Sequence, residues 1–594
     1  MATTPVLLEL DLSHGLLESP PADPLAAFRA RHTPVLSTLV ERLREASERA
    51  EVGGLIAHVG GADLGYAEVE ELGAAIAAFG ATGKPTVCWT EAFGEGGNGT
   101  LAYHLAVHFD EIWVQPSGGL ALVGVAAGGT FAREAFDKVG VEPQINQRHE
   151  YKNAPDTYKR SSMSEPQREQ FGRLTESIVE QVVSAVAQRR TIDTDAVRDT
   201  IAVAPITPTE ALDRGLVDHL GYRDQAYASI RRRIAGAAHD HTPEADLPEV
   251  EQRFLHRWNR PKGELLRERV EQELARRGSR LVRRGKPANV AIVSVDGGIM
   301  TGTSGGSPLT GPTAGSDTIC TALRRARADD DVAAIVLRVV SPGGSYTASD
   351  AVHREVELAR EAGKPVVASM GGVAASGGYF VAMGADRIFA LPTTITGSIG
   401  VFGGKMVVRE ALGKVGVHQE IVETGDQASM WAPSRPFSES ELVRLDAWLD
   451  DVYADFTQKA AEGRDLPLDV LEPLARGRVW TGADALERQL VDELGGLEQA
   501  IDHAAELAGR QRKDLIIGRY PDVPFIERLK PPTHSDAPNA ALATGASVLG
   551  GAAALAGVGE LLGGGPERLL AELAAALGVA PAGALSLGGS WKLR

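Results

Sequence analysis

The sequence predicts an α/β protein that contains two copies of one domain. Short runs rich in β-branched residues, such as NVAIVSVDG (289–297) and AAIVLRVVS (333–341), alternate with amphipathic segments such as ASDAVHREVELAREAG (348–363). Continuous apolar strands that alternate with helices are typical of a parallel sheet covered on both faces. Segments of the first half recur in the second half, so we expect the same sheet twice.

Three pairs of similar segments indicate the duplication. They are TGKPTVCWTEAF (82–93) with AGKPVVASMGGV (362–373), FDKVGVEPQ (136–144) with LGKVGVHQE (412–420), and TPTEALDRGLVDHLG (207–221) with TGADALERQLVDELG (481–495). A charged stretch separates the two copies, and an Ala/Gly-rich stretch follows the second. We therefore predict four regions: an N-terminal repeat at 1–240, a charged helical linker at 241–288, a C-terminal repeat at 289–520 and a tail at 521–594.

Composition excludes several classes of protein. The 594 residues are 43% hydrophobic, enough to bury sizeable cores, and 61 Lys plus Arg against 79 Asp plus Glu give a net charge of −18. Because phosphate contacts need a basic surface, this charge argues against a nucleic-acid binder. Cys88 and Cys320 are too few for a disulfide framework or a cysteine-based zinc site, and they are compatible with a reducing compartment.

Neither end of the chain predicts a membrane span. The N-terminus lacks a basic region followed by a long apolar run, so we expect no signal peptide. Residues 537–559 carry no charge but consist largely of Ala and Gly, which favours a surface-lying or partner-packed helix or a flexible tail. We predict a cytoplasmic protein or one peripheral to the cytoplasmic membrane.

The stretch GGVAASGGYF (371–380) places Ser376 among small residues ahead of an apolar segment. One interpretation is a turn or a helix N-cap. The other is a nucleophile, because two glycine-rich strand ends, VVSPGGS (339–345) and VAASGGY (373–379), could supply backbone N–H groups to an oxyanion. Gly343 and Gly377 are the candidate donors.

A nucleophilic serine needs a base, and the histidines offer no clear one. The histidines that follow Ser376 lie outside glycine-rich or strand-end settings, and His353, in the helical AVHREVELA, has the pattern of a surface residue. A triad stays open. Lysine is the other possibility, provided that burial lowers its pKa from about 10.4 towards 7–8.

Four further motifs resemble one family of peptidases. SPGG (341–344), AASGGYFVA (374–382), TTITGSIGVFG (393–403) and GRVWTGADAL (477–486) are similar to the signal peptide peptidase A (protease IV) family in its long two-repeat form. The resemblance covers roughly residues 5–510. It implies tandem Clp-protease/crotonase-like domains and a homo-oligomer, expected to be a tetramer, that acts on peptides without a metal or organic cofactor.

The same resemblance implies a Ser-Lys dyad, with the serine in the second repeat and the lysine in the first. Its serine is Ser376, and the family's Tyr-Lys pair matches EYKNAPDTYKRSSMSEPQRE (150–169), which makes Lys152 the base. His149 and Asn153 stand where the family usually has Gly and Ser. The family also places a serine, here Ser398, within reach of the lysine amine.

The duplication checks this assignment from within the chain. FDEIWVQP (109–116) aligns with ADRIFALP (385–392) at an offset of 276 residues, which maps Ser376 onto Thr100 and Lys152 onto Ala428. Each copy therefore keeps one member of the dyad, and we expect one working site per chain. Two other lysines compete as the base: Lys405 in VFGGKMVV and Lys159 in TYKRSS.

The function predicted from these residues is that of a serine endopeptidase that degrades remnant signal peptides and other hydrophobic peptides. Two alternatives stay open. A crotonase-like acyl-CoA enzyme would share the fold type and the oxyanion donors, and a catalytically silent scaffold or binding protein would share the fold alone.

Overall fold

The computed structural model describes most of both repeats. The described residues are 4–12, 15–18, 33–59, 64–236, 247, 249–258, 289–307, 311–520, 585–586 and 592–593. Most of the predicted linker at 241–288, and the tail stretch 537–559, lie outside them.

The described residues alternate between strands and helices, as the sequence predicts. The strands are β1 (Val6–Asp11), β2 (Val52–His58), β3 (Thr86–Thr90), β4 (Glu111–Val114), β5 (Ala127–Gly128), β6 (Glu142–Gln147), β7 (His219–Leu220), β8 (Glu251–Phe254), β9 (Asn289–Asp296), β10 (Gly298–Met300), β11 (Gly305–Ser307), β12 (Gly311–Gly315), β13 (Val332–Ser341), β14 (Gly343–Gly344), β15 (Val366–Ala375), β16 (Arg387–Ala390), β17 (Ile395–Gly397), β18 (Phe402–Val407), β19 (Val479–Thr481), β20 (Glu493–Leu494), β21 (Ile516–Tyr520), β22 (Leu585–Ser586) and β23 (Lys592–Leu593). The helices are α1 (Leu36–Glu48), α2 (Tyr66–Gly80), α3 (Thr100–Ala106), α4 (Arg133–Val139), α5 (Asp156–Lys159), α6 (Glu165–Arg190), α7 (Thr194–Val203), α8 (Pro208–Asp213), α9 (Arg223–Ala235), α10 (Ser316–Ala328), α11 (Tyr346–Glu361), α12 (Gly377–Ala382), α13 (Arg409–Lys414), α14 (Glu439–Gly463), α15 (Leu468–Leu471), α16 (Gly482–Glu487) and α17 (Leu497–Leu507).

The chain forms two compact units that do not follow the boundary between the repeats. Unit 1 consists of residues 1–125 and 178–287, and unit 2 consists of 126–177 and 288–594. A segment of the first repeat, 126–177, therefore packs with the second repeat. This exchange matters because the segment carries Lys152.

Unit 1 is built on a parallel sheet with the strand order β7-β4-β3-β2-β1-β8 in the described part of the chain. Apolar side chains of its strands, such as Leu7, Ile56 and Val87, are buried against helix α9. Burial of successive side chains on both faces explains why these strands have continuous apolar sequences.

Unit 2 contains the corresponding sheet, with β19-β17-β15-β13-β9-β21 as its main path and β16 beside β15. Its core includes Val293, Leu337 and Met370, all almost completely buried. A second small sheet has the order β11-β12-β10-β14-β22, and β6 from the first repeat pairs antiparallel with β18. Parallel strands β13 and β15 thus end at one edge of the sheet, where their loops meet.

Equivalent hydrogen bonds in the two units support the duplication in three dimensions. Tyr103 Oη donates to the Leu216 carbonyl in unit 1 at 2.6 Å, as Tyr379 Oη donates to that of Leu490 in unit 2 at 2.9 Å. Two further interactions occur in both units. The ion pair Arg190–Asp218 of unit 1 corresponds to Arg464–Asp492 of unit 2. The hydrogen bond from Thr86 N–H to the Asp110 carboxylate corresponds to that from Val366 N–H to the Asp386 carboxylate. The α/β class and the tandem duplication are confirmed.

A search for membrane spans among the described helices finds none that is long and apolar enough to cross a bilayer.

Candidate active site

Ser376 lies at the junction between strand β15 and helix α12. It has the backbone angles φ 56° and ψ −118°, which are uncommon for a residue with a side chain, and it is completely buried. It is the N-cap residue of α12, but its side chain makes no capping hydrogen bond. The hydroxyl is therefore not used as the N-cap interpretation requires, and the sharp turn directs it elsewhere.

Lys152 lies in the segment between β6 and α5, and its side chain is almost completely buried. Its Nζ donates to Ser376 Oγ at 2.8 Å, and to the carbonyl oxygen and Oγ of Ser398 at 2.9 Å each. All three acceptors are neutral oxygens. Both residues of the predicted dyad therefore lie within unit 2, although they belong to different repeats.

The environment of Lys152 favours its neutral amine. Burial lowers the pKa of this lysine well below its usual range, because a charged ammonium loses its hydration here. Since the hydrogen-bond acceptors carry no charge, they do not offset this loss as a carboxylate would. A neutral amine at hydrogen-bonding distance from a hydroxyl can accept its proton.

Ser398 contacts Lys152 through two atoms, as the resemblance implied for this residue. It follows strand β17 and has φ 53°, while its N–H donates to the Arg478 carbonyl at 2.6 Å. The left-handed conformation turns both the carbonyl and the hydroxyl of Ser398 towards the lysine amine. Non-glycine residues persist in such conformations only where the surrounding structure holds them.

Two glycines, Gly477 and Gly400, pack closely against Lys152. A Cβ on Gly477, whose φ is +81°, would lie 2.5 Å from the Lys152 nitrogen, and one on Gly400 would lie 3.3 Å from Lys152 Cδ. Any side chain at position 477 would therefore displace the lysine backbone. The motif GRVWTGADAL begins with Gly477, but its sequence does not predict this role, because the contact joins residues far apart in the chain.

The candidate oxyanion donors lie beside the serine. Gly377 begins helix α12, and a Cβ on it would lie 3.1 Å from the Gly344 nitrogen and 3.2 Å from Gly343 Cα. The Gly343 N–H donates to Ser341 Oγ at 3.1 Å. The two glycine-rich turns are thus adjacent, and the Gly343 amide is engaged by a neighbouring hydroxyl.

The competing bases have other partners. Lys405 Nζ donates to the Met430 carbonyl at 2.7 Å and lies 4.1 Å from the centroid of the Phe437 ring. Lys159 is exposed, as its sequence context suggested. The expectation that His353 is a surface residue is wrong: it is 3% exposed and packs edge-on against Phe380, because this face of α11 covers α12.

The equivalent position in the first copy has a different hydrogen-bonding pattern. Thr100, onto which Ser376 maps, begins helix α3, and its hydroxyl donates to the Gly124 carbonyl and accepts from the Gly124 N–H. The side chain is thus satisfied locally and has no lysine among its hydrogen-bond partners.

Comparison with known proteins identifies the family. The family model described as "Peptidase family S49" matches residues 78–235 and 358–511, one segment in each repeat. The chain belongs to peptidase family S49. It is 31% identical to Protease 4 of Haemophilus influenzae over 83% of this chain and 77% of the relative. It is 30% identical to Protease 4 of Salmonella typhi, over 83% and 74% of the two chains.

A plant relative extends the similarity. The chloroplastic serine protease SPPA of Arabidopsis thaliana is 29% identical over 86% of this chain and 70% of its own. This S49 peptidase is therefore a serine-type endopeptidase in the long two-repeat form. Its membership of the family confirms the resemblance seen in the sequence and supports a fold of the Clp-protease type. Among the described residues, no cluster of three or more His, Cys, Asp or Glu side chains could hold a metal ion.

Proposed function

We propose that this S49 peptidase cleaves peptides with a dyad of Ser376 and Lys152. One observation carries the proposal: the buried Lys152 Nζ lies 2.8 Å from Ser376 Oγ. Burial lowers the pKa of the lysine well below its usual range, which favours the neutral amine that a base requires.

The reaction would proceed in two halves. Ser376 Oγ attacks the scissile carbonyl while its proton passes to Lys152 Nζ, and the ammonium then donates that proton to the leaving amine. A water molecule then attacks the acyl-enzyme while its proton passes to the neutral amine, and the resulting ammonium returns a proton to Ser376 Oγ as the bond to the acyl group breaks and the acid leaves. Ser398 would hold the amine in position during both proton transfers, since its carbonyl and hydroxyl oxygens both accept from Nζ.

The amides of Gly377 and Gly343 would stabilise the oxyanion of each tetrahedral intermediate. The Gly343 N–H now donates to the hydroxyl of Ser341, so it would exchange this neutral acceptor for the charged oxygen of the intermediate. Hydrogen bonds to a charged acceptor are about twice as strong as those to a neutral one, which favours the exchange.

Extended hydrophobic peptides, including remnant signal peptides, are the substrates that we propose. Strand β14, which carries the candidate oxyanion donor Gly343, pairs antiparallel with the two residues of β22. This edge therefore accepts an added strand, the way in which extended peptides commonly bind. The neighbouring Val373 and Ile395 are partly buried on an apolar cluster that includes Ala375, which favours apolar side chains near the serine.

Hydrolysis by three variants tests the dyad. Ser376→Ala and Lys152→Ala should each reduce cleavage of a hydrophobic fluorogenic peptide by several orders of magnitude while the fold remains intact by circular dichroism. The double variant should be scarcely slower than either, because members of one catalytic unit are strongly non-additive. Substantial turnover by Ser376→Ala would refute the nucleophile, and additive losses would refute the dyad.

We also propose a homo-oligomer, expected to be a tetramer, whose interface follows from the duplication. In unit 2, β6 pairs with β18, with Asn146 opposite Gly403. The offset of 276 residues maps β6 onto 418–423, which lies in no strand, and β18 onto 126–131. Val422, fully exposed in this structure, would then lie opposite Ala127 of the next copy, in place of Leu593, which pairs with Ala127 here. Such head-to-tail pairing forms a ring where the rotation between successive copies closes.

A cysteine crosslink tests this interface. The chain with both Val422→Cys and Ala127→Cys should form disulfide-linked oligomers under mild oxidation, because both native cysteines are buried. Each single variant serves as a control and should stay uncrosslinked. A monomeric double variant under oxidising conditions would refute this pairing.

A further inference from the structure

The Lys152 segment is held in place by residues outside its own secondary structure. Lys152 belongs neither to β6 nor to α5, so the backbone hydrogen bonds of a helix or strand do not fix it. A catalytic amine must nevertheless stay within a fraction of an ångström of its productive position. The contacts of its neighbour Tyr151 show what supplies this constraint.

Tyr151, Arg478 and Glu169 form a closed set of three interactions. The Arg478 guanidinium carbon lies 3.5 Å from the centroid of the Tyr151 ring, and Arg478 Nη1 lies 3.3 Å from Glu169 Oε1. Tyr151 Oη donates to Glu169 Oε2 at 2.7 Å. Burial, and next the bond to Glu169, raises the pKa of Tyr151, which keeps the phenol protonated as a donor.

The stacking contact, rather than the ion pair, carries most of the constraint. The Glu169 side chain is 57% exposed, and ion pairs of such exposed groups contribute little. Arg478 is 28% exposed, and its planar guanidinium covers a largely buried ring. Stacking of this kind depends on the flat shape of arginine, which lysine lacks.

The main chain of Arg478 holds the other side of the lysine. Its carbonyl accepts from the Ser398 N–H at 2.6 Å, and Ser398 provides two of the three acceptors of Lys152 Nζ. The preceding residue, Gly477, packs directly against the Lys152 backbone. One residue therefore contacts both the chain that carries the amine and the serine that orients it.

We propose that Arg478 is a positioning residue that holds Lys152 in register with Ser376 through the face of Tyr151 and the backbone of Ser398. It acts through these neighbours and does not touch the reacting atoms. The proposal rests on the proposed Ser376–Lys152 dyad.

The test compares Arg478→Ala, Arg478→Lys and Arg488→Ala in peptide hydrolysis across pH. Arg488 is a matched control, because it is 27% exposed and stacks on an aromatic ring, Trp480, at 4.1 Å without contacting Tyr151. Arg478→Ala should lower kcat by about tenfold to a hundredfold with KM little changed, because misplaced catalytic groups lose rate rather than ground-state binding. Its rising pH limb should move to higher pH, because a less confined amine is better hydrated.

The lysine variant separates geometry from charge. Arg478→Lys keeps the positive charge but should retain the defects of Arg478→Ala, since an ammonium cannot stack as a guanidinium does. Full rescue by lysine, an unshifted pH limb in Arg478→Ala, or an equal loss in Arg488→Ala would each overturn the proposal. Ser376→Ala in the same assay tests the dyad separately from the role of Arg478. If the dyad were wrong, the Ser376→Ala variant would remain active.

Discussion

At the scale of single residues, the proposed chemistry depends on an amine that has neutral oxygens, rather than carboxylates, as its hydrogen-bond acceptors. Lys152 is 1% exposed, and its three acceptors are a carbonyl and two hydroxyl oxygens. Two non-glycine residues with positive φ, Ser376 and Ser398, aim these groups at it. The strain of their backbone is held by the surrounding packing, as is common where a site must be preorganised.

The contact between Gly477 and Lys152 gives a prediction at this scale. Gly477→Ala should reduce peptidase activity by at least about tenfold, because the new Cβ would lie 2.5 Å from the Lys152 nitrogen and displace the amine. Gly363→Ala is the matched control, since Gly363 has a similar φ of +78° with nothing within 4 Å of its Cβ position.

Gly363→Ala should lose about 1 kcal/mol of stability from the left-handed backbone, measured by urea unfolding, and Gly477→Ala should lose more because of the close contact with Lys152. Only Gly477→Ala should lose activity. Equal activities of the two variants would show that the close approach of Gly477 does not position the lysine.

At the scale of elements, the corresponding helices α3 and α12, which follow strands β3 and β15, have different roles. Helix α12 follows the candidate nucleophile Ser376, which is its N-cap residue, whereas α3 begins at Thr100, whose hydroxyl donates to the Gly124 carbonyl. Helix α3 also contains His104, which is buried near His108 with ring centroids 6.0 Å apart. Burial lowers the pKa of His104 to about 4 and that of His108 to about 3.

These histidines predict an acid-sensitive unit 1. Both stay neutral in the folded chain but take up a proton on unfolding below about pH 6.5, so their contribution is constant above that pH and falls as the pH drops towards 4. From pH 7 to pH 5, His104 alone should account for about 2 kcal/mol of lost stability. His104→Gln should remove that part of the pH dependence.

Denaturant-dependent hydrogen exchange, followed on peptides of unit 1 at both pH values, measures this loss. An unchanged pH dependence in His104→Gln would show that the histidine is not kept neutral by the fold.

At the scale of the whole molecule, each repeat supplies one of the two residues that we propose as the dyad. Residues 126–177 of the first repeat pack within unit 2, so the lysine of one repeat lies beside the serine of the other. The positions that correspond to Ser376 and Lys152 in the other repeat are Thr100 and Ala428, so neither repeat has both a serine and a lysine there. One reactive serine per chain follows from this division.

Active-site titration tests this stoichiometry. A fluorophosphonate probe should label one residue per chain, Ser376, as judged by intact mass and peptide mapping, because Thr100 has no lysine among its hydrogen-bond partners. Labelling of Thr100, or of a second serine in the Ser376→Ala variant, would contradict the single site.

The sequence predicts those features that depend on local patterns or on the repeats. These features include the alternation of strands and helices and the turn at Ser376. The repeat offset also shows that Thr100 and Ala428 replace the serine and the lysine in the other copies. Lys152 depends on the family resemblance, because no local pattern shows that it is buried. Gly477 and Arg478 could not be assigned, since their contacts join segments more than 300 residues apart.

The pH dependence of fluorophosphonate labelling at Ser376 tests the central claim most directly, because it reports the reactivity of the hydroxyl without a peptide substrate. The account predicts that the labelling rate of the unmodified chain rises with pH and levels off well below pH 10.5, as the buried Lys152 becomes neutral. Lys152→Ala and Lys152→Arg should both label slowly and without this rise, since a guanidinium stays charged. If Lys152→Ala labelled as fast as the unmodified chain with the same pH profile, Lys152 would not be the base.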